Sequence, residues 1–337
     1  MTRNGLAMHE AGTLKAPSDR TLNRLIVGMI LVLAVGIPLI GALYVVDQYR
    51  SPGPSLTDRA ILLAEEAVRR NPNQVSARLG LAVAYRDAKR YADAIAQFGE
   101  VLRVQPENRD ALLGRGRVEL ETGALAPAQT DLQKLVTVIE ADETAVDDPN
   151  LEAAYYFLGS ALLKQGRTND ALVELTKALQ MDATDADALY LYGTAKARTG
   201  DNQTAILALR KAALLVPTGW CEPYAALAQA YGALSNAEGV RYAEGMAAGC
   251  ALQADQARAK LQPLTTGMFA ADAWAGLGLL AEQLGDQNEA YADYANAYRL
   301  DSANFGAVNG LQRLGGLHSP APTSVPLPST PTTTGSN

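Results

Sequence analysis

The sequence repeats itself with a period of 34 residues, and this period limits the possible folds more than any other feature. Four stretches, which begin near residues 77, 111, 153 and 188, follow one pattern. Small residues fall in register in the first and second halves of these stretches, at Ala82, Gly116, Gly159 and Gly193 and at Ala94, Ala128, Ala171 and Ala205. The spacing between Gly116 and Gly159 is 43 residues because the acidic segment ADETAVDDPN is inserted there.

Each stretch reads as two helical halves separated by a turn. Gly123, Gly166 and Gly200 stand at the turn in three of the copies. A glycine inside a helix costs about 1 kcal/mol relative to alanine, so Gly193 needs a compensating contact that a side chain would block. We therefore predict that Gly193 and the small residues in its register are the points where paired helices touch.

A 34-residue repeat of two helices with small contact residues resembles the tetratricopeptide repeat family. The resemblance covers residues 56–316 and implies an all-α fold, a right-handed solenoid of helical hairpins. We expect repeats from about residues 75, 109, 152, 186, 220 and 271, a cap helix at 56–70 and a closing helix at 305–314. Thr57 or Asp58 is the expected N-cap of the first of these helices.

The fifth repeat departs from the pattern. It keeps the first-helix residues Tyr224, Leu227, Ala228 and Tyr231 but loses the alanine-centred second helix. We expect the segment after this repeat to extend its second helix as far as Pro263.

An apolar segment precedes the repeats. The 22 residues from Leu25 to Val46 carry no charge, and a helix of that length spans about 33 Å, enough to cross a bilayer. A cleaved signal peptide is a competing interpretation, but its apolar region is usually shorter. A buried core helix is another, but a repeat solenoid has no place for a helix that is apolar on all sides. We expect residues 25–46 to form an uncleaved transmembrane anchor.

The flanks of this segment predict its orientation. Four basic residues precede it, whereas the charges that follow it cancel. By the positive-inside rule, the amino terminus stays cytoplasmic and the repeats lie outside the cytoplasm, on the periplasmic or cell-surface side. We expect a polar cytoplasmic tail at residues 1–24, a spacer at 47–55 and a disordered Pro/Ser/Thr-rich tail at 317–337.

Composition argues against several functions. The first fifty residues contain three of the 36 acidic residues and five of the 29 basic ones. The rest of the chain therefore has more acidic than basic residues, which argues against binding of nucleic acid. Both histidines, His9 and His318, lie in the terminal segments. We therefore expect no metal, no cofactor, no small-molecule substrate and no catalytic residue. The Gly114-x-Gly116 and Gly276-x-Gly278 pairs follow no predicted strand and lack a third glycine, which indicates packing rather than nucleotide binding.

The two cysteines, Cys221 and Cys250, are 29 residues apart. In an antiparallel helix pair, the start of the first helix and the end of the second lie at the same end of the hairpin, so the two sulfurs could meet. Outside the cytoplasm they would form a disulfide. The alternative is a pair of unbonded, buried thiols.

First helices of tetratricopeptide arrays line a concave groove that binds a segment of a partner protein. Helical spacing places eleven residues in that groove, namely Leu79, Val83, Arg86, Leu113, Arg117, Tyr156, Ser160, Lys164, Tyr190, Thr194 and Arg198. The candidate binding residues among them are the charged and aromatic ones, Arg86, Arg117, Tyr156, Lys164, Tyr190 and Arg198. They favour a peptide with acidic and apolar character, although Asp87, Glu121 and Asp187 share the same faces and could neutralise the positive charges.

Chaperone-binding members of the family hold a terminal carboxylate with Lys, Asn and Arg. This chain has other residues at the matching places, Leu79, Val83, Gly114, Ala153 and Tyr156. We therefore do not expect recognition of chaperone carboxyl termini.

These observations predict a membrane-tethered scaffold, without enzymatic activity, that binds partner proteins or peptides. Assembly or maturation of an extracytoplasmic complex is the expected role, because the layout resembles that of membrane-tethered repeat proteins that present apocytochromes to the maturation machinery. One alternative is an organelle outer-membrane receptor with cytosol-facing repeats. A distant one is a polysaccharide-acting enzyme, which would need two carboxylates about 5–10 Å apart.

Overall fold

Sixteen α-helices and no strand occur in residues 19–50, 55–142 and 148–315, which are the residues that the computed structural model describes. The helices are α1 (Asp19–Arg50), α2 (Leu56–Arg70), α3 (Val75–Asp87), α4 (Tyr91–Val104), α5 (Arg109–Glu121), α6 (Leu125–Glu140), α7 (Pro149–Lys164), α8 (Thr168–Met181), α9 (Ala186–Arg198), α10 (Asn202–Leu215), α11 (Glu222–Ala233), α12 (Ala237–Cys250), α13 (Ala254–Leu261), α14 (Ala270–Gln283), α15 (Gln287–Leu300) and α16 (Phe305–Arg313). The fold class is therefore all-α, as predicted. The chain divides into two units, one up to Leu62 and one from Leu63 onward.

In the first unit, α1 is 32 residues long, or about 48 Å. Its stretch Val27–Tyr44 has no charged residue, and its side chains are exposed. By length and composition this helix can cross a membrane. The predicted tail at 317–337 lies outside the described residues, as do residues 1–18 of the amino-terminal tail and 51–54 of the spacer.

Helix α2 begins with a capping box. The Ser55 hydroxyl accepts a hydrogen bond from the Asp58 backbone N–H at 3.1 Å, and the Ser55 N–H donates to the Asp58 carboxylate at 3.1 Å. The N-cap is therefore Ser55, and the expectation of Thr57 or Asp58 was wrong. Asp58 acts as the acidic third residue of the box.

In the second unit, consecutive helices pair into antiparallel hairpins that stack on one another. A Cβ atom on Gly193 of α9 would lie 2.7 Å from Cγ of Leu209 on α10. The same contact recurs between Gly159 and Leu175 and between Gly116 and Leu132. The in-register glycines are thus contact points between paired helices, as predicted.

The first and sixth repeats place an aromatic ring where the second, third and fourth have leucine. Phe98 and Tyr294 lie at this position in α4 and α15, and each is almost completely buried. The next helix then carries a glycine against the ring, because a Cβ on Gly114 would lie 2.3 Å from Phe98 and one on Gly310 would lie 2.4 Å from Tyr294. Gly114 is therefore a packing residue.

The inserted segment between the second and third repeats is closed at its base by Arg109. The Arg109 guanidinium donates to Asp142 and to Asp148, each at 2.6 Å. Asp148 also accepts from the Asn150 N–H and so caps α7. Pro149 at the first turn extends the helix, since its missing N–H is not needed there. The third repeat thus begins at Pro149, three residues before the expected start.

The fifth repeat forms its hairpin with the small and large residues exchanged. Gly239 on the second helix, α12, accommodates Tyr231 on the first, with Cβ to ring distances as short as 2.4 Å. The expected extension to Pro263 is interrupted after Cys250, where Leu252 adopts a φ of +56°. A separate helix, α13, then packs against α12 and α14.

Candidate peptide-binding groove

The first helices of successive repeats contact one another in order. Helix α3 packs on α5, α5 on α7, α7 on α9 and α9 on α11. Their shared face, to which helical spacing assigns the predicted groove residues, is called the first-helix groove below. Residues three or four apart on one first helix share a face. Because the first helices follow the same repeat pattern, each of these residues lies beside the residue at the matching position of the next first helix.

An open pocket of about 410 Å³ lies in this groove between α3, α5 and α7. Its apolar lining consists mainly of Leu79, Val83, Leu113 and Phe157. Two of the candidate residues, Arg86 and Arg117, lie at the same pocket, together with Gly80, Phe98, Asp110, Gly114 and Ala153. Phe157 and Asp110 were not among the predicted residues, although Phe157 lies four positions after Ala153 and shares its helical face.

The two arginines at the pocket are paired within their own helices. Arg86 donates to Asp87 at 2.8 and 3.0 Å, and Arg117 donates to Glu121 at 3.1 Å. The Arg117 guanidinium also lies over the Phe157 ring at 5.5 Å from the centroid. The positive charge at the pocket is thus largely neutralised in place, although exposed pairs of this kind hold by only about 0–1 kcal/mol.

Lys164 and Arg198 differ from these arginines. Both are exposed at the ends of α7 and α9, and among the described residues neither forms an ion pair. Arg198 donates instead to the backbone carbonyl of Leu163 at 3.1 Å. Among the candidate groove residues, the cations without a carboxylate partner therefore lie in the third and fourth repeats.

The two predicted tyrosines lie at separate points of the groove. Tyr156 is half-buried and meets Phe157 edge to face at 4.9 Å. Burial raises the pKa of Tyr156 to about 12, with a further contribution from the nearby carboxylates of Asp187 and Asp185. Tyr190 packs edge to face against Trp220 at 5.2 Å.

A group of carboxylates marks the amino-terminal ends of the same helices. Burial, and then a hydrogen bond with Asp185, raise the pKa of Glu152 to about 7. Burial, followed by repulsion from Asp185, also raises the pKa of Asp187. The groove is therefore acidic at the starts of α7 and α9 and basic at their ends, which matches the direction of each helix dipole.

Cys221 and Cys250 are joined by a disulfide bond, with Cα atoms 5.7 Å apart. Cys221 precedes the first residue of α11 and Cys250 is the last residue of α12. The bond thus closes the open end of the fifth hairpin, beside the Trp220 ring that packs on Tyr190.

A second concavity, of about 480 Å³, was not predicted from the sequence. It lies near the sixth repeat and contains Arg210, whose guanidinium donates to Asp272 at 2.7 Å. Asn304 donates to the other Asp272 oxygen at 2.9 Å. Met268 and Phe305 are exposed at its edge. The three polar residues connect α10, α14 and the start of α16.

No group of three or more His, Cys, Asp or Glu side chains that could hold a metal occurs among the described residues. Both histidines lie outside those residues.

Comparisons with known proteins agree with the helical pattern. One family model described as tetratricopeptide repeat matches residues 56–100, 85–137 and 153–219, and a second with the same description matches residues 271–304. Together they cover more than half of the chain. Comparison with curated proteins gives no match.

Three solved structures with folds similar to this chain are compared with it by sequence identity, coverage and TM-score. A chain of the APC/C hetero-tetramer Cut9–Hcn1 is 18% identical over 77% of this chain and 46% of that chain, with a TM-score of 0.47. This chain thus spans less than half the length of that protein. MamA is 23% identical over 52% of this chain and 97% of its own, with a TM-score of 0.45. A tetratricopeptide repeat protein from Parabacteroides merdae is 15% identical over 76% of this chain and 91% of its own, with a TM-score of 0.44. At these identities the likeness says nothing about partners.

Proposed function

The chain belongs to the tetratricopeptide repeat family, and from this premise we propose that it is a membrane-tethered scaffold that holds a segment of a partner protein in the first-helix groove. The pocket between α3, α5 and α7 is the observation that carries the proposal. Its volume of about 410 Å³ lies in the usual range of binding pockets. An apolar side chain of the partner would enter it.

Charge supports an acidic partner segment. The ion pairs of Arg86 and Arg117 are exposed and weak, so a carboxylate of the partner can replace Asp87 or Glu121 at little cost. Nucleic acid, cofactors and small-molecule substrates form no part of the proposal.

The tether is α1. We place its amino end in the cytoplasm because basic residues dominate the sequence before it. A disulfide between Cys221 and Cys250 supports a repeat domain outside the cytoplasm, where such bonds persist. The scaffold would then act in assembly or maturation of an extracytoplasmic complex, of which cytochrome maturation is one example.

The topology has a direct test. Protease added to spheroplasts should degrade the repeat domain, and the thiols of Cys221 and Cys250 should react with a maleimide only after reduction. A repeat domain that is digested only in inverted vesicles, with both thiols freely labelled, would place the repeats in the cytosol instead.

The groove has a separate test. Val83→Trp with Leu113→Trp fills the pocket without adding charge, whereas Val173→Trp changes an exposed valine on α8. Full-length proteins are purified from native membranes, and co-purifying proteins are quantified by mass spectrometry. We expect the wild type and Val173→Trp to recover the same set of partners, and we expect the pocket variant to lose that set. Equal recovery by all three would exclude the pocket as the binding site.

A further inference from the structure

The pocket continues along α7 into a polar region. Ala153 and Phe157 line the pocket, and Ser160 and Lys164 follow on the same face of the helix at spacings of three and four residues. The adjacent helix α9 repeats this arrangement 34 residues later, with Thr194 and Arg198. Two hydroxyls and two cations therefore stand side by side on α7 and α9.

Arg198 lies against the carboxyl end of α7, where Lys164 stands, and neither cation forms an ion pair among the described residues. Arg198 reaches the carbonyl of Leu163, the residue before Lys164, at 3.1 Å. Like charges repel, by amounts that depend on their separation and on how much water screens them. An anion placed between them would remove this repulsion.

The hydroxyl oxygen of Thr194 supplies a second observation. It is buried and has no hydrogen-bond partner, and Ser160, at the matching position of α7, is only 8% exposed. A buried hydroxyl without a partner is destabilising, and a ligand that accepts its proton would remove that cost.

The first two repeats show the opposite charge at the same position. The residues that correspond to Lys164 and Arg198 are Asp87 and Glu121, and both pair with an arginine of their own helix. At this register position, cations without a carboxylate partner thus occur in the third and fourth repeats and not in the first two.

We propose that Ser160, Lys164, Thr194 and Arg198 form a carboxylate-binding subsite next to the apolar pocket. This inference rests on the proposed function and adds to it the order of the bound groups along the partner segment. The partner segment carries an apolar side chain, held by the first three repeats, and then an acidic group, held by the third and fourth. The carboxylate belongs to an Asp or Glu side chain or to the end of the partner chain.

The test selects peptides from a random twelve-residue library on the full chain in lipid nanodiscs. Three proteins are compared, namely the wild type, Lys164→Gln with Arg198→Gln, and the control Lys134→Gln with Arg241→Gln. The control removes the same charge from exposed positions on α6 and α12. Wild-type and control selections should share an Asp or Glu at a fixed distance from an apolar residue, and this preference should disappear with the subsite variant.

The other outcomes are distinct. Apolar peptides without an acidic preference, or a preference that survives Lys164→Gln with Arg198→Gln, would overturn the subsite and leave the groove. The two cations would then serve only to stabilise the carboxyl ends of α7 and α9. Failure to select any peptide on the wild type would count against the proposed function itself.

A final comparison separates the two sources of carboxylate. Selected peptides are synthesised with a free and with an amidated carboxyl terminus, and with Asp or Glu replaced by Asn or Gln. At least a tenfold loss of affinity on one of these changes identifies the group that is bound. No loss on either change would contradict the subsite.

Discussion

Gly193 of α9 lies against Leu209 of α10 so closely that a Cβ atom at Gly193 would come within 2.7 Å of the leucine Cγ. Gly193→Ala should therefore lower the free energy of unfolding. The gain in helix propensity is about 1 kcal/mol, but overpacking costs about 1–3 kcal/mol. We expect a net loss on the order of 1 kcal/mol, measured by urea denaturation followed by circular dichroism.

Gly80 provides the matched control. It also lies within a first helix, but a Cβ there would meet nothing within 4 Å. Gly80→Ala should raise the free energy of unfolding by about 1 kcal/mol, because only the propensity term remains. If both variants stabilise the protein to the same extent, Gly193 is not a packing residue.

Removal of the disulfide should weaken the fifth repeat. Its second helix contains three glycines, at Gly239, Gly245 and Gly249, and each costs about 1 kcal/mol of helix propensity. A bond that closes a loop of this length contributes about 3–4 kcal/mol in the chain-entropy model. Reduction with a phosphine should lower the urea midpoint, and Cys221→Ala with Cys250→Ala should show the lower midpoint without response to phosphine. An unchanged wild-type midpoint after complete reduction would refute this role.

Glu119 should make stability depend on pH. Its carboxylate is buried beside Arg115, at 3.8 Å, but Asp131 already occupies that guanidinium at 2.5 and 2.7 Å. Burial, and then the charge of Asp131, raise the pKa of Glu119 to about 7. Since this exceeds the unfolded value, the folded state binds more protons, and stability falls as pH rises from about 4.5 to 7.

Glu119→Gln isolates this contribution. The variant should match the wild type at pH 4, where Glu119 is protonated in both states. It should be more stable at pH 8 by on the order of 1–3 kcal/mol. Urea midpoints at the two pH values provide the measurement, and a constant difference between variant and wild type across the range would rule out the assignment.

Asp272 should be important for docking of the last repeat. It accepts from Arg210 on α10 and from Asn304, the N-cap of α16. Asp272→Ala leaves a partly buried guanidinium without its carboxylate, for which we expect a loss of about 3 kcal/mol. Replacing both charged partners, with Arg210→Met and Asp272→Leu, should recover part of that loss. A double variant less stable than Asp272→Ala would show that the ion pair is not the source of the effect.

The repeat pattern predicted the helical fold because its signal is local and recurs. Gly193 and its counterparts stand at a fixed position of each copy, and a single spacing relates them to Leu209 and its counterparts. The exchange of Gly239 and Tyr231 in the fifth repeat was not foreseen, because two helices can satisfy the same contact with the small residue on either one.

Two of the six candidate groove residues line the pocket, and their role in binding stays a prediction. Helical spacing identified Arg86 and Arg117 at the pocket but not Phe157, since Tyr156 beside it has equal aromatic character. The neutralising carboxylates were recognised, but only side-chain geometry showed that they pair with those arginines and leave Lys164 and Arg198 without one. The network of Arg210 and Asp272 joins residues 62 positions apart, which periodicity does not reveal.

Photo-crosslinking in native membranes tests the central claim most directly. Leu113→benzoylphenylalanine places the reactive group in the pocket, and Val173→benzoylphenylalanine places it on an exposed face of α8. We predict that irradiation joins the residue 113 variant to a defined partner protein through an acidic segment, and that the residue 173 variant gives no such product. The same product from both positions, or none from position 113, would contradict a groove that binds the partner.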